Sequence, residues 1–334
     1  MKNLLITKLI LAAILASSLL MLSLHPAYSA DESSPSIHPL SKSELNSLIH
    51  DTFNVMKKHY IEPSVVANTE QFILEKLKQG QYASIHTIED FANLIGRDIR
   101  HITGDSHLSL FTVNDNEQIT HILSHKTGKL TYNHAFEEIR YLDGNIGYLK
   151  FNKFHPDEKA RETVDAAFNF LKKSDGMIID LRDTVGGSPY LVQYILGYFF
   201  PVKTPLWEVL DRSDKSLDSI QVIEHSGHKR FHSDYPIWIL TSHDSASATE
   251  LFLGVMQANG KATLVGEVTS GAGFYVGVKK ITPELVFRIS LSKPVISANQ
   301  QNWEKKGITA DIQVKAMDAL NYARRLAFES STIR

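Results

Sequence analysis

The stretch Met177-Ile178-Ile179-Asp180-Leu181-Arg182-Asp183-Thr184-Val185-Gly186-Gly187 runs from a short all-apolar strand through charged residues to paired glycines. A strand apolar on both faces is buried between two layers. Gly-Gly ahead of a helix lets backbone N–H groups face a ligand with no Cβ in the way. A plain strand-to-helix turn, with Arg182 paired to Asp180 or Asp183, accounts for the same residues without a ligand. On both sides of this stretch, strand and helix take turns. Ile146 to Phe151 reads as a strand, and Val164, Ala167, Phe168 and Leu171 mark one face of a helix. Downstream follow a helix from Tyr190 to Phe199, a strand at Ile237 to Leu240, a helix from Ala248 to Gln257 and a strand at Ala262 to Val265. A last helix covers Ala316 to Phe328. The alternation predicts an α/β layer with buried parallel strands. Asp211 to Ser233 is polar and interrupts it as a β excursion or a surface loop.

Upstream the period is helical. Ser41 and Glu44 form a capping box before Leu45, Leu48, Ile49, Phe53 and Met56, and Glu70 to Gln79 reads as a second helix. A third opens at Thr87 and carries Ile88, Phe91, Ala92, Ile95 and Ile99 on one face. The expected organisation is an N-terminal helical bundle over residues 38–135 and an α/β domain over residues 136–334. Residues 1–29 carry Lys2 and Lys8, an apolar run from Leu9 to Leu24 and the small-residue pattern Ala27-Tyr28-Ser29. That pattern is expected of a cleaved secretory signal peptide, with a retained anchor as the alternative. The protein is therefore expected to be periplasmic or extracellular, with no integral membrane segment after cleavage.

Composition narrows the chemistry. Of 334 residues, 43% are hydrophobic and 22% charged, with 18 Gly and 11 Pro, which excludes disordered and collagen-like chains. Thirty-five basic and 37 acidic residues give a formal charge of −2 with no basic block, so nucleic acid is not an expected partner. There is no cysteine, hence no disulfide framework, thiolate nucleophile or Cys-ligated metal. No His-Glu-x-x-His pair and no Gly-x-Ser-x-Gly elbow occurs, and Gly260-Lys261 fails the phosphate-loop spacing. No metal or cofactor is expected. A nucleophile, if there is one, is a hydroxyl, an amine, a carboxylate or water.

Ser245-Ala246-Ser247-Ala248-Thr249-Glu250 follows a strand and opens a helix. Ser247 then sits at a helix N-terminus, where free N–H groups and the positive dipole end can stabilise an oxyanion. Ser247 and Glu250 equally fit a capping box, Ser-x-x-Glu. Gly104-Asp105-Ser106-His107-Leu108 presents a histidine beside a short turn.

Together these segments, with Val265-Gly266-Glu267, Thr269 and Asn302-Trp303-Glu304, resemble the tail-specific, or C-terminal processing, serine peptidase family. The likeness points to the branch of the tricorn protease core and the interphotoreceptor retinoid-binding protein repeats. It implies a crotonase-like α/β spiral core as the catalytic domain and a serine-type peptidase acting on a peptide or protein substrate. By position it makes Ser247 the nucleophile, with Ala248 and Gly186 or Gly187 supplying the oxyanion hole. The family's Ser-Lys branch has its lysine where this chain has Ala272, so that dyad is absent. The tricorn-like branch uses a histidine and a glutamate, which His107 and Glu304 match. Imidazole can take a serine proton near neutral pH, and a carboxylate can fix its tautomer. The chain departs from the family at Thr184, usually Asn, and at Ala310, usually Pro. The interval from His107 to Gly144 is too short for a PDZ insertion, and oligomeric state is not implied. The retinoid-binding relatives suggest the other reading, a non-catalytic carrier of apolar ligands on the same fold.

Overall fold

The computed structural model describes residues 39–113, 132–224 and 230–332, and the leader expected over residues 1–29 lies outside the described residues. Three helices come first: α1 (Lys42–His59), α2 (Val66–Lys78) and α3 (Ile88–Thr103). The Ser41–Glu44 capping box forms at the start of α1, and Thr87 with Asp90 forms another at the start of α3. Gly104, at φ 69°, ends α3 in the left-handed conformation. The chain then turns through Asp105 and His107 into β1 (Ser109–Thr112).

The α/β part follows as β2 (Phe136–Leu142), β3 (Ile146–Phe151), α4 (Ala160–Leu171), β4 (Gly176–Asp180) and α5 (Pro189–Leu196). After them come β5 (Pro205–Leu210), β6 (Ser216–Gln221), β7 (Ile237–Thr241), α6 (Ala248–Ala258) and β8 (Thr263–Gly266). The last elements are β9 (Tyr275–Lys280), β10 (Leu285–Ile296), β11 (Ile312–Gln313) and α7 (Ala316–Thr332). One sheet has the order β11-β8-β7-β4-β3-β2, parallel except for β2 at its edge.

From β3 the parallel strands are added in one direction, so right-handed crossovers put α4, α5 and α6 on one face. Met177 and Ile179 of β4 point into that layer, against residues such as Phe168, Val192 and Leu251. Ile178, between them, faces the opposite way and meets Ala319, Ala323 and Ala327 of α7. Burial on both faces is why β4 reads as an unbroken apolar run.

A second, antiparallel sheet has the order β1-β10-β5-β6, with β9 also on β10. Leu285, Phe287 and Ile289 of β10 pack with Ile49, Phe53, Phe91 and Ile95, so the N-terminal helices share their core with this sheet. The polar stretch from Asp211 is in part a β excursion, since β6 pairs with β5. Helix α5 stops at Leu196, three residues short of the expected Phe199, and Gly197 follows it directly.

Candidate active site

Two loops at the C-terminal ends of β4 and β7 lie against each other. Thr184 joins them: its carbonyl accepts from the Ala246 N–H at 3.1 Å and the Thr249 hydroxyl at 3.0 Å. Its own hydroxyl donates to the Phe151 carbonyl at 2.6 Å, so the departure from Asn still leaves a residue that ties this turn together. Ser245 Oγ donates to the Leu181 carbonyl at 2.9 Å.

These ties hold Ser247 at φ 57° and ψ −119°, a backbone conformation that costs a residue with a Cβ of order 1–3 kcal/mol. Strain at a serine heading a helix is kept only where the surroundings over-determine it. Gly186, at φ 96°, presses against the same turn: a Cβ there would stand 2.8 Å from Ser247 Cβ and from the Ala246 carbonyl oxygen. Gly187, at φ 134°, leaves no room for a Cβ beside the Phe154 carbonyl. The bridge to Phe154 uses the Gly186 carbonyl and the Ser188 N–H, which leaves the Gly187 N–H outside it. Ala248 is the first residue of α6, so its N–H has no acceptor within the helix.

Ser247, Ala248 and Gly187 line one cavity of about 410 Å³ with walls that are mostly apolar, including Leu251, Phe274 and Trp303. Ala272 lines it too, at the place of the missing lysine. The nitrogen base that does line it is Lys153, only 3% exposed and shifted below the usual lysine range by burial. Sequence reasoning missed Lys153, which stands just after β3 with no motif around it.

Glu250 is fully buried and gathers four donors. Its carboxylate accepts from the Ser247 N–H at 2.8 Å, the Thr269 hydroxyl at 2.5 Å, the Gly271 N–H at 2.7 Å and the Ala272 N–H at 2.9 Å. Burial raises its carboxyl above the usual range against the pull of those donors. The expected pairing of Glu250 with the head of α6 is present, and the same carboxylate also fixes the opposite wall of the cavity.

Glu304 stands behind that wall. Its Oε2 accepts from the Gly273 N–H at 2.6 Å, and Oε1 is buried with no hydrogen-bond partner. Burial, and after it the negative charge of Asp105, pushes the Glu304 carboxyl up to about 8. Neighbouring Asn302 and Trp303 clamp the strip it supports, donating to the Gly273 and Ala272 carbonyls.

His107 is 5% exposed and does not line the Ser247 cavity. Its N–H donates to Asp105 Oδ1 at 2.9 Å, and its ring Nδ1 lies 3.6 Å from the same oxygen with no hydrogen bond of its own. The structure thus brings Ser247, Ala248, Gly186 and Gly187 together and sets Glu304 against the cavity wall. His107 sits in a second cluster, beside Asp105, whose charge reaches Glu304. His243, four residues before Ser247, is exposed and lines a different cleft with Arg182 and Asp183.

The model of peptidase family S41 matches residues 145–314, just over half of the chain. The chain belongs to peptidase family S41. Its helical region, residues 32–137, matches the N-terminal domain described for this family in eukaryotic IRBP, and that match includes His107. Among curated relatives, the carboxy-terminal processing protease CtpB of Bacillus subtilis (strain 168) is 26% identical over 177 residues, which is 52% of this chain and 35% of that protein. A carboxyl-terminal-processing protease of Synechocystis is 26% identical over 45% of this chain and 33% of its own length, so this chain spans about a third of either relative. A crystal structure of a putative peptidase from Parabacteroides merdae superposes with a TM-score of 0.60 at 18% identity, covering 85% of this chain and 96% of that one. That likeness shows that the two chains share an α/β fold.

Proposed function

We propose that the protein is an exported serine peptidase that cleaves peptide bonds through an acyl-enzyme. The observation that carries the reading is the strained Ser247 at the head of α6, which lines one cavity with Ala248 and Gly187. Ser247 Oγ attacks the scissile carbonyl carbon while His107 takes its proton. The oxyanion that forms is held by the Ala248 N–H and the N–H of Gly187 or Gly186. The C–N bond then breaks as His107 returns the proton to the leaving amine, and water releases the acyl group by the same steps. Glu304, behind the cavity wall, is the third residue of the site. The helical part, residues 38–135, supplies His107, and the α/β part, residues 136–334, supplies the rest. The apolar cavity suits an apolar substrate side chain next to the cleaved bond. Export is supported by the leader pattern of residues 1–29, and no helix among the described residues is long and apolar enough to cross a membrane.

A serine-directed fluorophosphonate tests the reading. The purified protein is expected to form one adduct, mapped to Ser247 and absent from Ser247→Ala. A carrier of apolar ligands forms none.

A further inference from the structure

We propose that Asp105 is the positioning residue for His107: it holds the proton of the neutral imidazole on Nδ1 and leaves Nε2 to act as the base. This rests on the reading of Ser247 and His107 given above.

The two oxygens of Asp105 do different jobs. Oδ2 accepts from the Ser290 hydroxyl at 2.7 Å and the Tyr60 hydroxyl at 3.2 Å, which pins the carboxylate from β10 and from the end of α1. Oδ1 takes the His107 backbone N–H at 2.9 Å and faces Nδ1 at 3.6 Å. Nδ1 is enclosed and has no hydrogen-bond partner, so Asp105 is the acceptor in front of it. The ring contact is slightly longer than a hydrogen bond, as catalytic contacts often are before substrate closes the site. A carboxylate held in this way selects the tautomer and stabilises the imidazolium formed when His107 takes a proton.

Glu304 offers His107 no such contact, since Oε2 is bound to the Gly273 N–H and Oε1 has no hydrogen bond. The charges divide the same way. Burial works to raise the Asp105 carboxyl, but its bonds to His107 and Ser290 and the His107 charge outweigh it and hold it below the usual range. Glu304, raised by burial and by Asp105, keeps its proton at neutral pH. Two neighbouring carboxyls whose surroundings push them apart take separate roles. The other charged or titratable groups around the pair are Tyr60, Glu62, Arg288 and Lys305, with Glu62 and Lys305 paired to each other at 2.6 Å.

Nitrogen NMR of the His107 ring tests this on the unmodified protein: the neutral ring is expected as the Nδ1–H tautomer, and an Nε2–H tautomer overturns the proposal. In Asp105→Asn the tautomer is expected to flip and fluorophosphonate labelling of Ser247 to slow by about a thousandfold or more. Glu304→Gln keeps the Nδ1–H tautomer. Labelling within tenfold of normal and an unflipped ring in Asp105→Asn overturn the role of Asp105. Should that variant fail to fold, the tautomer of the unmodified protein decides alone. His107→Ala separates the two levels: normal labelling overturns His107 as base and this proposal with it. An inert His107→Ala beside an active Asp105→Asn overturns the positioning role alone.

Discussion

Around Ser247 the site is made of backbone: two glycines, the first N–H of a helix and one carboxylate, Glu250, that gathers three main-chain N–H groups and a hydroxyl. Around His107 it is made of side chains, with Tyr60, Asp105 and Ser290 meeting from three separate elements. The first kind of construction fixes positions through main-chain donors, with Glu250, raised by burial, as the titratable group they share. The second kind is sensitive to protonation, because its groups are buried carboxyls and an imidazole. One half is held by main-chain groups and the other by side chains.

The strongest way to break this division is to remove its two ends. Ser247→Ala and His107→Ala are each expected to lower turnover by about 10⁴-fold or more, and the double variant by scarcely more, since members of one catalytic unit are not additive. Additive losses would mean that the two halves do not work together. Next in size, Gly186→Val and Gly187→Val are expected to lower turnover by about a hundredfold or more, as loss of one oxyanion donor does. Thermal melts run beside the assays separate misfolding from lost donors, and unchanged turnover in both variants would rule out a backbone-built hole.

Glu250→Gln sharpens the contrast through stability. It turns part of a fully used acceptor into a donor facing other donors, and is expected to cost roughly 2–3 kcal/mol by denaturant unfolding. A change below about half a kcal/mol would show that Glu250 is not what fixes the wall. The subtlest test is the pH dependence carried by Glu304. Its folded-state value of about 8 lies above the ordinary value of 4.5, so the folded state binds the proton more tightly. Its contribution to stability is therefore full below pH 4.5 and is lost as the pH rises towards 8. Glu304→Gln should melt progressively higher than the unmodified protein across that range, and a constant offset would contradict a buried, protonated Glu304.

The backbone-built half was legible in the sequence because its signals are local. Met177 to Gly187 and Ser245 to Glu250 each contain a strand end, a turn and a helix start within a few residues. The side-chain-built half was legible only in part. His107 and Glu304 could be placed by resemblance, but Asp105 gains its meaning from Tyr60 and Ser290, which no spacing connects to it. The antiparallel sheet was hidden for a similar reason. β6 is exposed along nearly all its length and shows no alternation, and β10 collects partners from residues 109–112, 205–210 and 275–280. Lys153 carried no signal, as a lysine after a strand ordinarily reads as surface.

The pairing of β1 with β10 sets Ser109 opposite Arg288 and Thr112 opposite Leu285. Among the described residues β10 is the only strand partner β1 has. A ribosome therefore releases the turn that holds His107 long before it makes the strand that seats it, and closing so large a loop is slow and comes late. Ser290, the hydroxyl that pins Asp105, arrives on that same strand. The turn that carries Ser247 can assemble from β4, β7 and α6 while His107 still has nowhere to dock. On this ordering His107 reaches its seat only once residues 285–296 have been made, long after the turn that carries it has left the ribosome.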